Sequence, residues 1–214
     1  MAPHSLPLTF IGAAILFVGW FGFNAGSALA ADGGAALAML NTFTATAGAA
    51  LAWAAIEALL RGKVSALGVI SGMIAGLVAI TPAAGFVGPV AAIGLGAAGS
   101  AAAYVFVTGI KHRLGYDDSL DVFGIHGVAG IIGALGTGIL AAPSLGGMGY
   151  AEGVTMAAQL WVQVKAVLVT IVWCGVVSFA LYRLVDALVG LRVPAEAERR
   201  GLDLASQGEV AYHL

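Results

Sequence analysis

The sequence is short of charge, of cysteine and of basic clusters, and each shortage closes off a class of protein. Of 214 residues only 9% are charged, with Lys+Arg 9 and Asp+Glu 11. A soluble domain carries about 25% charged residues, so this chain cannot clothe a water-facing surface. One cysteine, Cys174, excludes an intrachain disulfide and leaves no cysteine cluster for a metal. A net charge of −2 without a basic stripe gives nothing to hold a phosphate backbone, so no nucleic acid partner is expected. Met1 to Pro7 contain no Lys or Arg, so the basic leader region of an ordinary signal peptide is not expected there. Six prolines and no Gly-x-y period exclude collagen in spite of 32 glycines.

What is present is apolar length. Hydrophobic residues make up 60% of the chain, and a membrane helix needs about 20 of them in a row. Six spans are expected, at roughly 8–31, 35–60, 64–82, 86–110, 119–142 and 157–190. The fold class is therefore all-α, a polytopic membrane helix bundle, with a membrane domain over 1–190 and a polar tail over 191–214. Turn residues mark the breaks: Asp32-Gly33-Gly34, Arg61-Gly62-Lys63, Pro82 to Pro89, Lys111 to Ser119, and Pro143 to Gly149.

The basic residues orient these spans. Arg61 and Lys63 lie in the second loop, Lys111 and Arg113 in the fourth, and Arg192, Arg199 and Arg200 in the tail. Six crossings put all of them, with both termini, on one side, which is expected to be the cytoplasm. The tail is too small to fold alone and reads either as a solvated extension or as a docking surface.

Glycines recur every three residues at Gly127, Gly130, Gly133 and Gly136, and every four at Gly68, Gly72 and Gly76. Both spacings make a small-residue stripe on which another helix can pack closely. Asn41, Thr42, Thr44 and Thr46 in the second span read as interhelical glue or as pore lining.

His126 stands out in the apolar run Val122-Phe123-Gly124-Ile125-His126-Gly127. A helix beginning near Asp118 would place it about 12 Å in. Ionisable groups inside a membrane are expensive and mark pathways, whereas the plainer alternative is a satisfied core histidine. Asp117, Asp118 and Asp121 read as helix caps or as a cation-attracting mouth. Phe23 and Ser27, four apart, share a face. They read as helix-packing residues, or as a gate and a cation-holding hydroxyl. No metal site, cofactor or catalytic cluster assembles from these residues, so an enzyme is not expected.

Taken in order, Gly19-Trp20-Phe21-Gly22-Phe23-Asn24-Ala25-Gly26-Ser27, Asn41-Thr42-Phe43, Gly76 to Ala83, Asp121 to Gly127, Ala151 to Thr155 and Gly190-Leu191-Arg192-Val193 resemble the ammonium transporter family (Amt/Mep/Rh), on its Amt branch. The resemblance covers nearly the whole chain. It implies a fold of eleven membrane helices in a homotrimer, with this chain matching the second half, helices 6–11. It further implies that Phe23 is a gate phenylalanine and Ser27 the serine of the external ammonium site. His126 would be the second of two pore histidines, Val122 and Leu16 pore lining, and Asp118 and Asp121 structural or vestibule acids. The other gate phenylalanine, the external tryptophan and the first pore histidine belong to the half not seen here.

The implied function is ammonium or ammonia transport for nitrogen uptake across the cell (inner) membrane. A PII-type cytosolic regulator is the implied partner of the tail. Two alternatives remain beside it: a truncated fragment that does not conduct, and an ammonium sensor signalling through 191–214.

Overall fold

The computed structural model describes residues 3–210. The start of the Met1–Pro7 segment and the last four residues of the tail lie outside the described residues. The described residues are helical and contain no strand. The apolar helices are α1 (Leu6–Gly26), α2 (Gly33–Arg61), α3 (Ala66–Ile80), α4 (Pro89–Leu114), α5 (Phe123–Leu140) and α6 (Met156–Val189). A short α7 (Ala195–Arg200) follows in the tail. The chain divides into two compact units at Val167 and Leu168, within α6.

Local chemistry sets the helix ends. Ser5 caps α1 through the Leu8 amide, and Asp32 caps α2 by accepting from the Gly34 and Ala35 amides at 2.9 and 3.1 Å. Each such cap satisfies amides that a helix start leaves without partners. Gly62, at φ +71, ends α2 in a left-handed turn that a Cβ would oppose.

In the first unit α2 packs on α3 and α4, α1 on α2 and α3, and α5 on α3 and α4. The α2–α3 contact is antiparallel and closed by glycine. A Cβ on Gly68 would meet Glu57, one on Gly72 would meet Trp53, and one on Gly76 would meet Ala49. Steps of plus four on α3 thus match steps of minus four on α2. The second stripe divides its task. Gly133 packs on Ala79 of α3 and Gly136 on Leu95 of α4, whereas the atoms nearest a Cβ on Gly127 belong to the Phe123 ring of its own helix. Three-residue spacing drifts around a helix of 3.6 residues per turn, so the stripe serves two neighbours.

Five of the helices are long and apolar enough to cross a membrane, and α3, at 15 residues, is shorter. Its chain continues as a buried turn in which Ala83 and Val87 have no exposed surface. Non-helical backbone is tolerated at membrane depth only when protein satisfies it. Asn41, itself fully buried on α2, does so, donating through Nδ2 to the Ala84 and Val87 carbonyls at 2.8 and 2.7 Å. Thr42 and Thr46 donate to Ala38 O and Thr42 O within α2, and Ser100 of α4 donates to Ala49 O at 2.8 Å. The polar residues of the second span accordingly serve as packing groups.

Candidate functional site

The sequence-predicted residues fall into two groups. The first lies on α1. Leu16, Trp20 and Phe23 border a shallow apolar patch. One turn further on, Phe23, Asn24 and Ser27 line an open groove with Ala38 of α2 and with Thr81, Gly85 and Phe86 beyond α3. The Ser27 hydroxyl donates to the Phe23 carbonyl at 2.6 Å, as its four-residue spacing allows.

Phe23 is 62% exposed. Its ring lies edge-on to Trp20, with centroids 6.1 Å apart. Trp20 is in turn fixed: its indole N–H donates to Thr81 Oγ1 at 2.8 Å, and that hydroxyl donates to Leu77 O. The buried Asn24 donates to Thr42 Oγ1 at 2.9 Å. α1 is thereby tied to both α2 and α3 behind Phe23.

The second group surrounds His126. The helix expected to begin near Asp118 begins at Phe123 instead. His126 is three residues into it, about 5 Å rather than about 12 Å. Two features produce the change. Asp121 adopts φ +58, which leaves the helical path and which Asp tolerates better than most residues. The Asp118 carboxylate then accepts from the Val122 and Phe123 amides at 2.9 and 3.0 Å, capping the true start.

The first turn, Phe123–Val128, is a π-helical turn, a geometry often found at functional sites. The exposed His126 ring places Nδ1 3.1 Å from the Val122 carbonyl. A carbonyl only accepts, so a hydrogen bond here has Nδ1 as its donor. No hydrogen bond among the described residues joins His126 to Phe23 or Ser27, and α3 contacts both the α1 group and the start of α5.

The three acids separate by task. Asp118 caps α5, Asp117 accepts from Ser119 Oγ at 3.1 Å, and Asp121 pairs with Lys111. Lys111 also donates to the Asp118 carbonyl at 2.8 Å. Asp118 thus caps the first amides of α5.

Sequence reasoning missed several residues. Lys111 counted only as a loop charge. Trp20 and Thr81 carried no pairing signal, being 61 residues apart. Glu57 is buried on α2, where it accepts from the Ser65 amide at 2.8 Å, lies 3.7 Å from Arg61, and is 3% exposed. An acid in an apolar span, with arginine four residues on, was the available signal. The π-helical turns at Phe106–Ile110 and Phe123–Val128 left no trace in the sequence pattern.

Residues 1–212 match the Ammonium Transporter Family. An ammonium transporter of Aquifex aeolicus is 49% identical over all of this chain and 50% of its own length. One from Bacillus subtilis is 45% identical over 99% of the chain and 52% of its own. Among solved structures, a Sensor Amt Protein superposes with a TM-score of 0.87 at 33% identity, over 95% of this chain and 49% of that one. Saccharomyces cerevisiae Mep2 does so at 0.80 and 33%, over 91% and 48%. The chain spans about half the length of the relatives it matches.

Proposed function

Because the chain belongs to the ammonium transporter family, we propose that it forms one half of a transmembrane ammonium pore, with Phe23 as a gate and His126 as a pore imidazole. The observation that supports this reading best is the His126 ring. It is exposed on an apolar helix, with Nδ1 3.1 Å from the Val122 carbonyl. In a bilayer such an imidazole is costly unless it faces a cavity or a partner, and the other half of the fold would supply that partner.

The steps follow from the groups present. Ammonium is held outside at the Ser27 groove, aided by ring faces that attract cations. It gives its proton to water on the outer side as it passes Phe23 (NH4+ + H2O → NH3 + H3O+), and ammonia moves along the wall formed by Val122, Leu16 and His126. Potassium has no proton to give, and the wall offers too few oxygens to replace its water. Asp118 and Asp121 hold the cytoplasmic start of α5. The proposal extends to a homotrimer in the cell membrane with both termini cytoplasmic, and to a PII-type regulator meeting 191–214.

The test is methylammonium uptake in cells lacking their own transporter. The chain is co-expressed with the first half of the Bacillus subtilis relative. Uptake is expected with the pair, and His126→Ala should abolish it or admit potassium. Unchanged uptake with unchanged potassium exclusion would remove His126 from the pathway.

A further inference from the structure

Lys111 sits at the end of α4 with a side chain only 14% exposed. A cation so largely withdrawn from water needs partners, and it has two on one short loop. It donates to the Asp118 carbonyl at 2.8 Å and pairs with the Asp121 carboxylate. Those two residues govern how α5 starts. Asp118 caps the Val122 and Phe123 amides, and Asp121 holds the left-handed conformation that turns the chain into the helix. Val122, fixed by that cap, presents the carbonyl that His126 Nδ1 touches at 3.1 Å.

We propose that Lys111 is a positioning residue for His126: by bridging the Asp118 carbonyl and the Asp121 carboxylate it fixes the start of α5 and so keeps the Val122 carbonyl against Nδ1. The ammonium cargo gives this arrangement its use, so the inference rests on the function proposed above. The geometry itself does not depend on that function.

The sequence of contacts is short and each link is directional. Lysine supplies several N–H donors and no acceptor, which suits one carbonyl and one carboxylate together. Each oxygen of the Asp118 carboxylate accepts from a backbone amide, and Asp121 is the acid that pairs directly with the lysine. Remove that charge and the loop loses its polar tie to α4, keeping ring contacts such as Phe106–Tyr116 and Phe106–Phe123. The Val122 carbonyl is then free to move relative to the ring, and the tautomer preference of His126 disappears with it.

The test reads the imidazole directly. The full chain, labelled with ¹⁵N-histidine, is placed in phosphatidylcholine nanodiscs, and His126 is assigned by its loss in His126→Ala. In the native protein Nδ1 is expected in the protonated range and Nε2 in the unprotonated range. Lys111→Met should move both signals toward the averaged tautomer, and Lys111→Arg should restore the native pair. Helical content by circular dichroism selects samples that remain folded. If Lys111→Met unfolds the chain, Asp121→Asn, which keeps an acceptor and loses the charge, should give a partial shift in the same direction. Native signals in a folded Lys111→Met or Asp121→Asn sample would overturn the proposal. Because no transport is measured, failure of the pore reading and failure of this one are separable.

Discussion

At the residue scale the decisive groups are those that satisfy irregular backbone. Asn41 is one: its amide closes two carbonyls of the buried turn after α3. Asn41→Leu keeps the volume roughly and strands both acceptors. A buried group left unpaired costs about 1–3 kcal/mol, so the melting temperature in detergent should fall, while Thr44→Val, next to it on a half-buried face, should change it little. Trp20 gives a second prediction. Its indole is anchored on Thr81 and its ring meets Phe23. Thr81→Val removes the acceptor without changing shape, and the freed indole should loosen Phe23. With a complementing half present, the ratio of methylammonium to ammonium uptake is expected to rise, and Thr81→Ser should return it. An unchanged ratio would mean that Trp20 does not set the Phe23 position.

At the scale of the element, glycine decides how near two helices come. Gly76 lies against Ala49 and the Ala45 carbonyl of α2, whereas Gly12 on α1 has open space around it. Gly76→Ala forces a methyl onto packed backbone, and overpacking costs about 1–3 kcal/mol. Gly12→Ala replaces a poor helix former with a good one and should be neutral or slightly stabilising. Thermal melting of the two variants side by side checks the contrast, and equal melting points would contradict the close approach of α2 and α3. This scale was the most legible in the sequence. Apolar length and the Gly-Asp and Gly-Pro breaks located every apolar helix, because these signals are local. The start of α5 was misplaced because side-chain contacts decide it: Asp118 caps the Val122 and Phe123 amides, and Asp121, paired with Lys111 of α4, takes a left-handed conformation. For the same reason the Trp20–Thr81 and Glu57–Ser65 pairs were not readable. Hydrogen bonds between spans leave no periodicity in either one.

At the scale of the whole molecule, the number of crossings is set by two arguments that bear on α3 from opposite sides. Its 15 helical residues rise about 22 Å, short of a hydrocarbon layer about 30 Å thick. The proposed topology, which gathers the basic residues on one side, has it cross all the same. With α3 across, Arg61, Lys63, Lys111 and Arg113 share a side. With α3 withdrawn, Lys111 and Arg113 would face the opposite side, against the cytoplasmic preference of such residues. The buried turn after α3 reconciles the two, since Asn41 pairs carbonyls that a helix would have paired. Cysteine mapping can decide between these topologies, because Cys174 is the sole thiol to remove. In a Cys174→Ala background, Leu29→Cys and Met148→Cys should react with a membrane-impermeant maleimide added to intact cells. Lys63→Cys should react only after the cells are opened. Leu29 and Met148 are both well exposed, at 93% and 68%, so access is not limited by packing. If α3 does not cross, every later loop changes side. Met148→Cys would then be protected in intact cells while Leu29→Cys still reacted, and that single reversal would refute the six-crossing topology on which the placement of Phe23, Ser27 and His126 along one pathway depends.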